Sequence, residues 1–515
     1  MSSRFPRFLA CMQSRRFLAC VLTPALAMTL AAAVPSVSAA APEKTKTWSG
    51  QMLAYATESL SDREGLSIAA IPLNGPGIEQ YINADKPMNP GSIMKLITTY
   101  AALEILGPTF QWDTRFYTDG TLNGSTLEGN LYVKFGGDPK LTVERLWSVI
   151  RELRGMGLDT ITGDLVLDGN YFQLPEGLPL FEDNGNNPYA PFLVEPSGYL
   201  TNLNLQHFEV RADERGTQAW STPALEQVVI DNRVIATEAG QCPARRNFTW
   251  KPIFHDDGRV TVRVEGRLAQ GCRTAAYFSL LPHKDYSAAA ISSVWKELGG
   301  TLEGGYRFDS TPDDARLMMV TSSPDLVTMV RDINKWSSNV MARQLLLTMG
   351  AENRLPDEED DRVAGIRVVY EWLEAKGINT AGMVLDNGAG LSRYERITTR
   401  QTARILQYAW NSPFAADLQS SMPLIAMDGT MVRRLRNTAL KGEGRIKTGY
   451  LEDVRSIAGF TRDESETSWV IVGIVNHSPA WNGQALLDRV LYSLYYNPPM
   501  GTSLSQGPAS GSTVQ

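Results

Sequence analysis

Three short patterns constrain this chain more than any stretch of hydrophobic periodicity, because they lie far apart and are useful only together. Ser92-x-x-Lys95, Ser337-x-Asn339 and Lys447-Thr448-Gly449 occur in that order in 515 residues, with nearly half the chain between the first and the second. Any fold that exploits them must bring two distant parts of the chain into contact around an inserted region. Ser92 and Lys95 sit in Asn89-Pro90-Gly91-Ser92-Ile93-Met94-Lys95-Leu96, ahead of an apolar-periodic run that reaches Leu106. The Pro-Gly pair predicts a turn and the run predicts a helix, so Ser92 belongs at or near a helix start. A spacing of three is close to one helical turn, which sets the Lys95 amine beside the Ser92 hydroxyl. The positive end of the helix dipole and the free N–H groups of the first turn then face whatever Ser92 attacks. A nucleophile, a candidate base and half of an oxyanion hole fall within four residues.

Taken singly, the patterns are weak. A second Ser-x-x-Lys stands at Ser293-Val294-Trp295-Lys296, inside an amphipathic stretch from Ala288 to Leu298. A helix interior there would occupy the serine N–H, so this copy reads as a decoy. Ser-x-Asn is expected about once by chance in a chain of this length, and Lys-Thr-Gly in on the order of one such chain in ten. Order and context carry the argument. Ser337 follows the helical run Leu326–Trp336, and Lys447 is expected to open a strand that continues after a turn as Ser456–Phe460. Together these residues make a serine acyl-transfer site without a catalytic histidine. His207, His255, His283 and His477 are scattered with no partner pattern, and no Gly-x-Ser-x-Gly elbow is present. No cofactor is implied, and no metal site.

At 515 residues the chain exceeds one ordinary core, and two or three domains are expected. Gly65–Leu73 is a strand candidate leading toward the Ser92 helix. From Thr114 the text changes to short alternating segments such as Arg115–Tyr117, Leu131–Phe135 and Leu165–Leu167, and Gln227–Gly271 is β-rich as well. The Asn- and Pro-rich stretch Gly185–Pro191 marks a loop or boundary. From about Val320 helical patterns return, and strands at Ser456–Phe460 and Trp469–Val475 precede a helix from Gly483. The simplest architecture is α/β (α+β): helices around an antiparallel sheet, split by a β-rich insertion. Residues 498–515, rich in Gly, Ser and Pro, read as a disordered tail.

The three motifs resemble those of the serine penicillin-binding proteins and β-lactamases. The long insertion is similar to that of the D-alanyl-D-alanine carboxypeptidase/endopeptidase family typified by penicillin-binding protein 4, among the low-molecular-mass enzymes. Phe135-Gly136-Gly137-Asp138-Pro139, Gly163–Asp168, Asp386–Arg393 and Asp428-Gly429-Thr430 resemble that family too, over approximately Leu53 to Asn497. The resemblance implies a penicillin-binding/β-lactamase-like catalytic domain over 41–106 and 318–497. It implies an inserted domain II over 107–184 and 284–317, and a domain III over 185–283.

Roles follow from the same resemblance. Ser92 attacks D-alanyl-D-alanine or D-alanyl-diaminopimelate type bonds of peptidoglycan stem peptides, and β-lactam antibiotics act as covalent inhibitors. Lys95 is a candidate base, Ser337 relays a proton to the leaving nitrogen, and Asn339 orients the substrate amide. Lys447, Thr448 and Gly449 form the carboxylate-holding strand, and the N–H groups of Ser92 and Tyr450 line the oxyanion hole. A free lysine is only about 0.04% neutral at pH 7, so Lys95 needs burial or a neighbouring cation, and Lys447 is the natural neighbour. Tyr450 departs from the family, which has Thr or Ser there. Two other readings stand beside this one. A β-lactamase shares the acylation chemistry, although the length and insertion argue against it. A non-catalytic exported scaffold is opposed by intact Ser92, Lys95 and Lys447. No motif bears on oligomeric state, or on the balance between carboxypeptidase and endopeptidase action.

The first forty residues read as an address. Arg4, Arg7, Arg15 and Arg16 precede a mostly apolar run, Phe17–Val34, and Val37-Ser38-Ala39 offers small residues for cleavage close to Ala39. An uncleaved anchor is the other reading, weakened by Thr23 and Pro24 within the run. Ser14–Leu18 only partly resembles a twin-arginine signal, and Cys20 is misplaced for a lipoprotein. No later segment is apolar for long enough to span a bilayer, so membrane association is at most peripheral. The expected location is the periplasm. There Cys242 and Cys272, the two cysteines beyond the leader, read as one disulfide, with a pair of buried thiols as the alternative. A net charge of −7 and a pI near 5.4 argue against nucleic acid as a partner. Exported protein is therefore expected to begin near residue 40. N-terminal sequencing that returned Met1 would contradict this.

Overall fold

Strands that are apolar at nearly every position make sense only in a sheet covered on both faces. The central sheet here is such a sheet. The computed structural model describes residues 47–60, 63–175, 188–478 and 480–499. The expected leader, all but two residues of the expected tail, and part of the Gly185–Pro191 stretch lie outside the described residues. In chain order, the elements that build the central body are α1 (Trp48–Leu60), β1 (Leu66–Pro72), β2 (Gln80–Ile82), α2 (Met94–Ile105), α3 (Leu326–Trp336) and α4 (Asn339–Glu352). They are followed by α5 (Thr399–Trp410), β3 (Gly444–Leu451), β4 (Val454–Arg462), β5 (Ser468–Asn476) and α6 (Gly483–Tyr496). The sheet runs β3-β4-β5-β1-β2 and is antiparallel throughout.

Alternation sorts the strand residues between two cores. Ala69, Ile71, Ala458, Phe460, Val470, Val472 and Ile474 share one core with residues of α2, α3, α4 and α5. Leu66, Ile68, Ala70, Ile457, Trp469, Ile471 and Val475 share the other with α1 and α6. Each such valine, leucine or isoleucine contributes about 1.5–3 kcal/mol when fully buried. The expectations above contain no helix before the first strand. In α1, Trp48, Met52, Ala56 and Leu60 recur on one face and are buried. β3 begins at Gly444, so Lys447 lies at mid-strand rather than opening it. The ladder with β4 already pairs Gly444 with Thr461 and Arg445 with Phe460, which extends the strand past its polar start.

Between α2 and α3 the described residues form four further sheets. Five strands, including Asp113–Thr118, Leu131–Phe135, Leu165–Asp168 and Arg316–Ser322, form one of them. This sheet packs with the helices Val143–Gly155 and His283–Glu297 around Phe116, Val133, Leu167 and Tyr286. Two three-stranded sheets drawn from Gln206–Phe278 enclose Val210, Val234, Val264 and Leu268. The inserted region is tied to α4 by Gln344, whose Nε2 donates to Gly137 O at 3.0 Å and Ser197 O at 2.9 Å. The second Ser-x-x-Lys lies within His283–Glu297, where Ser293 Oγ donates to Ala224 O at 2.7 Å and Lys296 pairs with Glu226 at 2.6 Å.

Cys242 and Cys272 are joined, with Cα atoms 5.5 Å apart, and Cys272 belongs to the core of the two small sheets. The bond closes a sequence separation of 30 residues. Loop-closure entropy for such a span amounts to about 3–4 kcal/mol. The double variant Cys242→Ser/Cys272→Ser is expected to lower unfolding free energy by about 3 kcal/mol in a urea titration. An unchanged midpoint would contradict that contribution.

Candidate active site

The turn Asn89-Pro90-Gly91 decides where Ser92 points, and three separate segments pin it. Asn89 Oδ1 accepts from the Gly91 N–H at 2.9 Å, while Gly91 takes a φ of 53°, which favours glycine. Asn89 and Asn476 exchange hydrogen bonds: the Asn89 N–H donates to Asn476 Oδ1 at 2.8 Å and Asn476 Nδ2 donates to Asn89 O at 2.9 Å. Ser456 Oγ donates to Pro90 O at 2.5 Å. Gly91–Ile93 then forms one 3-10 turn before α2 starts at Met94. Gly449 of β3 passes against this turn, since a Cβ there would lie 2.1 Å from Ser456 Oγ and 2.9 Å from the Ser92 nitrogen. The strand thus brings the Tyr450 nitrogen up to the same turn, 3.6 Å from where a Cβ on Gly91 would lie.

Lys95 has no exposed surface, and its Nζ meets three oxygens: Ser92 Oγ at 2.9 Å, Asn339 Oδ1 at 2.7 Å, and the Ala389 carbonyl. The Asn339 amide is oriented by its Nδ2, which donates to Phe192 O at 3.1 Å. Carbonyl and amide oxygens have no proton to give, so of the three partners only Ser92 can donate. A neutral amine therefore fits: two N–H groups satisfy Asn339 and Ala389, and the lone pair faces the Ser92 hydroxyl. Burial lowers the Lys95 pKa to about 7, against a smaller upward pull from Glu395. That makes the neutral fraction at pH 7 about a thousand times that of a free lysine.

Ser337 caps α3 in the left-handed conformation, φ 60° and ψ 38°. Such a non-glycine backbone costs on the order of 1–3 kcal/mol and persists only where neighbours impose it. Here Lys447 Nζ donates to Ser337 Oγ at 2.8 Å and to Thr448 O at 2.8 Å. Lys447 is fully buried, and its pKa falls well below the ordinary value through burial first and the charge of Lys95 second. Of the two causes expected from the sequence, burial dominates at Lys95, and the mutual repulsion of the two amines acts alongside it. Thr448 Oγ1 donates to Thr430 Oγ1 at 2.9 Å. Asp428, two residues before Thr430, pairs with Lys335 at 2.5 Å and accepts from the Leu424 N–H at 2.7 Å. The Tyr450 ring is 69% exposed and lies 3.6 Å from the guanidinium carbon of Arg455.

Ser92, Lys95 and Asn339 are joined by hydrogen bonds, as are Lys447 and Ser337. Gly449 and Tyr450 border Ser92 through the backbone, and Thr448 sits at the edge on Thr430. Cys242 and Cys272 lie in the inserted sheets. Asp386 pairs with Arg362 at 3.2 Å and stands at the start of a loop that sequence reasoning undervalued. Gly388 O of that loop accepts from Thr98 Oγ1 at 2.7 Å, and Ala389 supplies the carbonyl to Lys95. Backbone acceptors leave no mark in side-chain motifs. Glu395, fully buried behind the loop, was also missed, because nothing in Tyr394-Glu395-Arg396 marks the glutamate as interior.

The sequence profile of the D-Ala-D-Ala carboxypeptidase 3 (S13) family matches residues 58–491. A D-alanyl-D-alanine carboxypeptidase of Actinomadura sp. is 28% identical over 537 residues, covering 97% of this chain and 94% of that protein. The crystal structure of penicillin-binding protein 4 from Haemophilus influenzae is similar with a TM-score of 0.69 and 24% identity, over 86% of this chain and 99% of that one. The same protein complexed with a novel β-lactam gives 0.66 at 24% identity and the same coverage.

Gly390 tests how tightly the loop must approach Ser92. It has φ 74°, and a Cβ there would lie 1.9 Å from Gly91 O and 2.7 Å from the Ser92 nitrogen. Gly390→Ala is expected to displace the turn and slow acylation of Ser92 by a serine-directed reagent roughly a hundredfold. A wild-type acylation rate would contradict the packing.

Proposed function

Because the chain belongs to the D-Ala-D-Ala carboxypeptidase 3 (S13) family, we propose that it hydrolyses D-alanyl-D-alanine and D-alanyl-diaminopimelate type bonds of peptidoglycan peptides through an acyl-enzyme on Ser92. The observation that carries this reading is the Lys95 amine, held by two pure acceptors with its third position at Ser92 Oγ. Ser92 Oγ attacks the carbonyl carbon of the penultimate D-alanine, and its proton passes to Lys95. The developing oxyanion accepts from the N–H groups of Ser92 and Tyr450. The proton held by Lys95 is relayed through Ser337, itself bonded to Lys447, to the departing nitrogen as the C–N bond breaks and the terminal amino acid leaves, so Lys95 is neutral again and Ser337 keeps its hydroxyl. Asn339 orients the acyl-side amide, while Lys447 and Thr448 hold the terminal carboxylate. Water then hydrolyses the ester, yielding a free carboxylate and restoring Ser92.

An anion in the site also fits the two buried lysines. Both cannot remain charged in a dry cavity, but a substrate carboxylate would favour the charged form of Lys447 while leaving Lys95 neutral. β-Lactams are read as covalent inhibitors that trap the same serine, supported by the β-lactam complex of the H. influenzae relative. Among the described residues no helix is long and apolar enough to cross a membrane. Action in the periplasm is the location that the substrate requires.

Incubation with benzylpenicillin followed by mass spectrometry tests the reading: one persistent adduct on Ser92 is expected, with Ser92→Ala losing both adduct and release of D-alanine while remaining folded. Rapid nitrocefin turnover would favour a β-lactamase instead, and a protein with no adduct would be a scaffold. At Tyr450 the exposed ring stacked on Arg455 sits at the mouth of the site. Tyr450→Thr is expected to change the ratio of kcat/KM between peptides and β-lactams by about 1–2 kcal/mol. Unchanged ratios with a lowered Tm would assign the ring to packing.

A further inference from the structure

Behind Lys95 lies a carboxyl for which the chemistry above has no use. Glu395 is fully buried. Its Oε1 accepts from the backbone N–H groups of Asn387 and Gly388 at 3.1 Å each, and from that of Asp386 at 3.4 Å. Its Oε2 is equally buried and has no hydrogen-bond partner among the described residues. The same short loop presents Gly388 O to Thr98 and Ala389 O to Lys95. The carboxyl therefore grips three consecutive N–H groups of a loop whose next carbonyl orients the candidate base.

We infer that Glu395 is a positioning residue for the proposed acyl transfer. It holds the Asp386–Ala389 loop so that the Ala389 carbonyl aims the Lys95 amine at Ser92, and its negative charge, when present, opposes deprotonation of that amine. The inference rests on the acyl-transfer reading of Ser92. Two features of the geometry make the carboxyl a tunable anchor. Protonation at the partnerless Oε2 leaves Oε1 free to accept all three N–H groups, so the neutral acid keeps the loop in place. Ionisation adds a charge in a dry interior, where its effect on a buried amine is largest. Burial raises the Glu395 pKa to about 7, the same range as Lys95, so both groups change state near neutrality.

Among the described residues, three other groups face this pair. Lys447 faces Lys95 from β3. Asp386 raises Glu395 further, and is itself paired with Arg362. Tyr370, whose hydroxyl donates to Met383 O at 2.8 Å, feels the charge of Glu395. Of these, only the Glu395 carboxylate favours a protonated Lys95. Removing the charge must therefore lower the pH at which the amine becomes available.

The test is the pH dependence of the second-order rate of Ser92 acylation by benzylpenicillin, measured on the full chain. In the wild type the rate should rise through a midpoint near the Lys95 pKa of about 7. Glu395→Gln should keep Oε1 as the loop acceptor and move this acid limb to lower pH by about half a unit or more. Thr98→Val loosens the same loop without touching a charge, and should slow acylation while leaving the limb in place. Coincident limbs for wild type and Glu395→Gln, or a limb moved equally by Thr98→Val, would overturn the role of Glu395. If Glu395→Gln does not fold, infrared titration of the glutamate-labelled wild type decides. A buried protonated carboxyl that ionises together with the acid limb supports the assignment, and its absence overturns it. A wild type that forms no Ser92 adduct at any pH overturns the acyl-transfer reading itself.

Discussion

Two lysine amines buried side by side impose most of the architecture seen here. An ammonium removed from water loses several kcal/mol of hydration, so each amine needs acceptors arranged around it or must give up its proton. Lys95 finds its partners on the turn before α2, on α4 and on the loop before α5, while Lys447 finds Ser337 at the end of α3. These segments are remote in sequence, and neither amine could be buried unless they met. The inserted sheets between α2 and α3 are folded aside, with Gln344 and other polar ties attaching them to the body, and the two flanks close on the lysines.

The central sheet makes that closure rigid. Its strands are covered on both faces, and β3 runs so close to the Ser92 turn that only glycine fits at 449. Asn476 at the end of β5 and Ser456 in β4 hold the turn from the sheet side. The serine is thus fixed relative to the strand that supplies the second oxyanion donor, and the base is fixed relative to the serine. Preorganisation of this kind leaves little reorganisation for the chemical step. The strained backbone at Ser337 belongs to the same economy, since from it the hydroxyl meets Lys447 Nζ at 2.8 Å.

Much of this was legible in the residues. The three motifs, the long insertion, the helix Leu326–Trp336 and the apolar strands near the C-terminus all follow from spacing and periodicity, and the structure assembles the motif residues around Ser92. What escaped notice did so for physical reasons. The helix Trp48–Leu60 has only a narrow apolar stripe, weakly distinguished from the leader that precedes it. The strand carrying Lys447 begins among polar and glycine residues, and its pairing with the next strand, not its own periodicity, extends it back to Gly444. Ala389 acts through its carbonyl, which every residue possesses. Glu395 is an acid in a polar run, and only tertiary burial turns it into a partner of Lys95. Burial, one of the two expected causes of the Lys95 shift, is set by tertiary packing that the motif itself does not show.

The proposed chemistry requires one arrangement: Ser92 Oγ between a neutral Lys95 and two backbone donors. A high-resolution crystal structure of the penicillin-acylated protein examines all three together. The expected result is an ester on Ser92 whose carbonyl oxygen accepts from the N–H groups of both Ser92 and Tyr450, with Lys95 Nζ still within hydrogen-bond distance of the ester oxygen. An ester on another serine, or a carbonyl turned away from those two N–H groups, would contradict it.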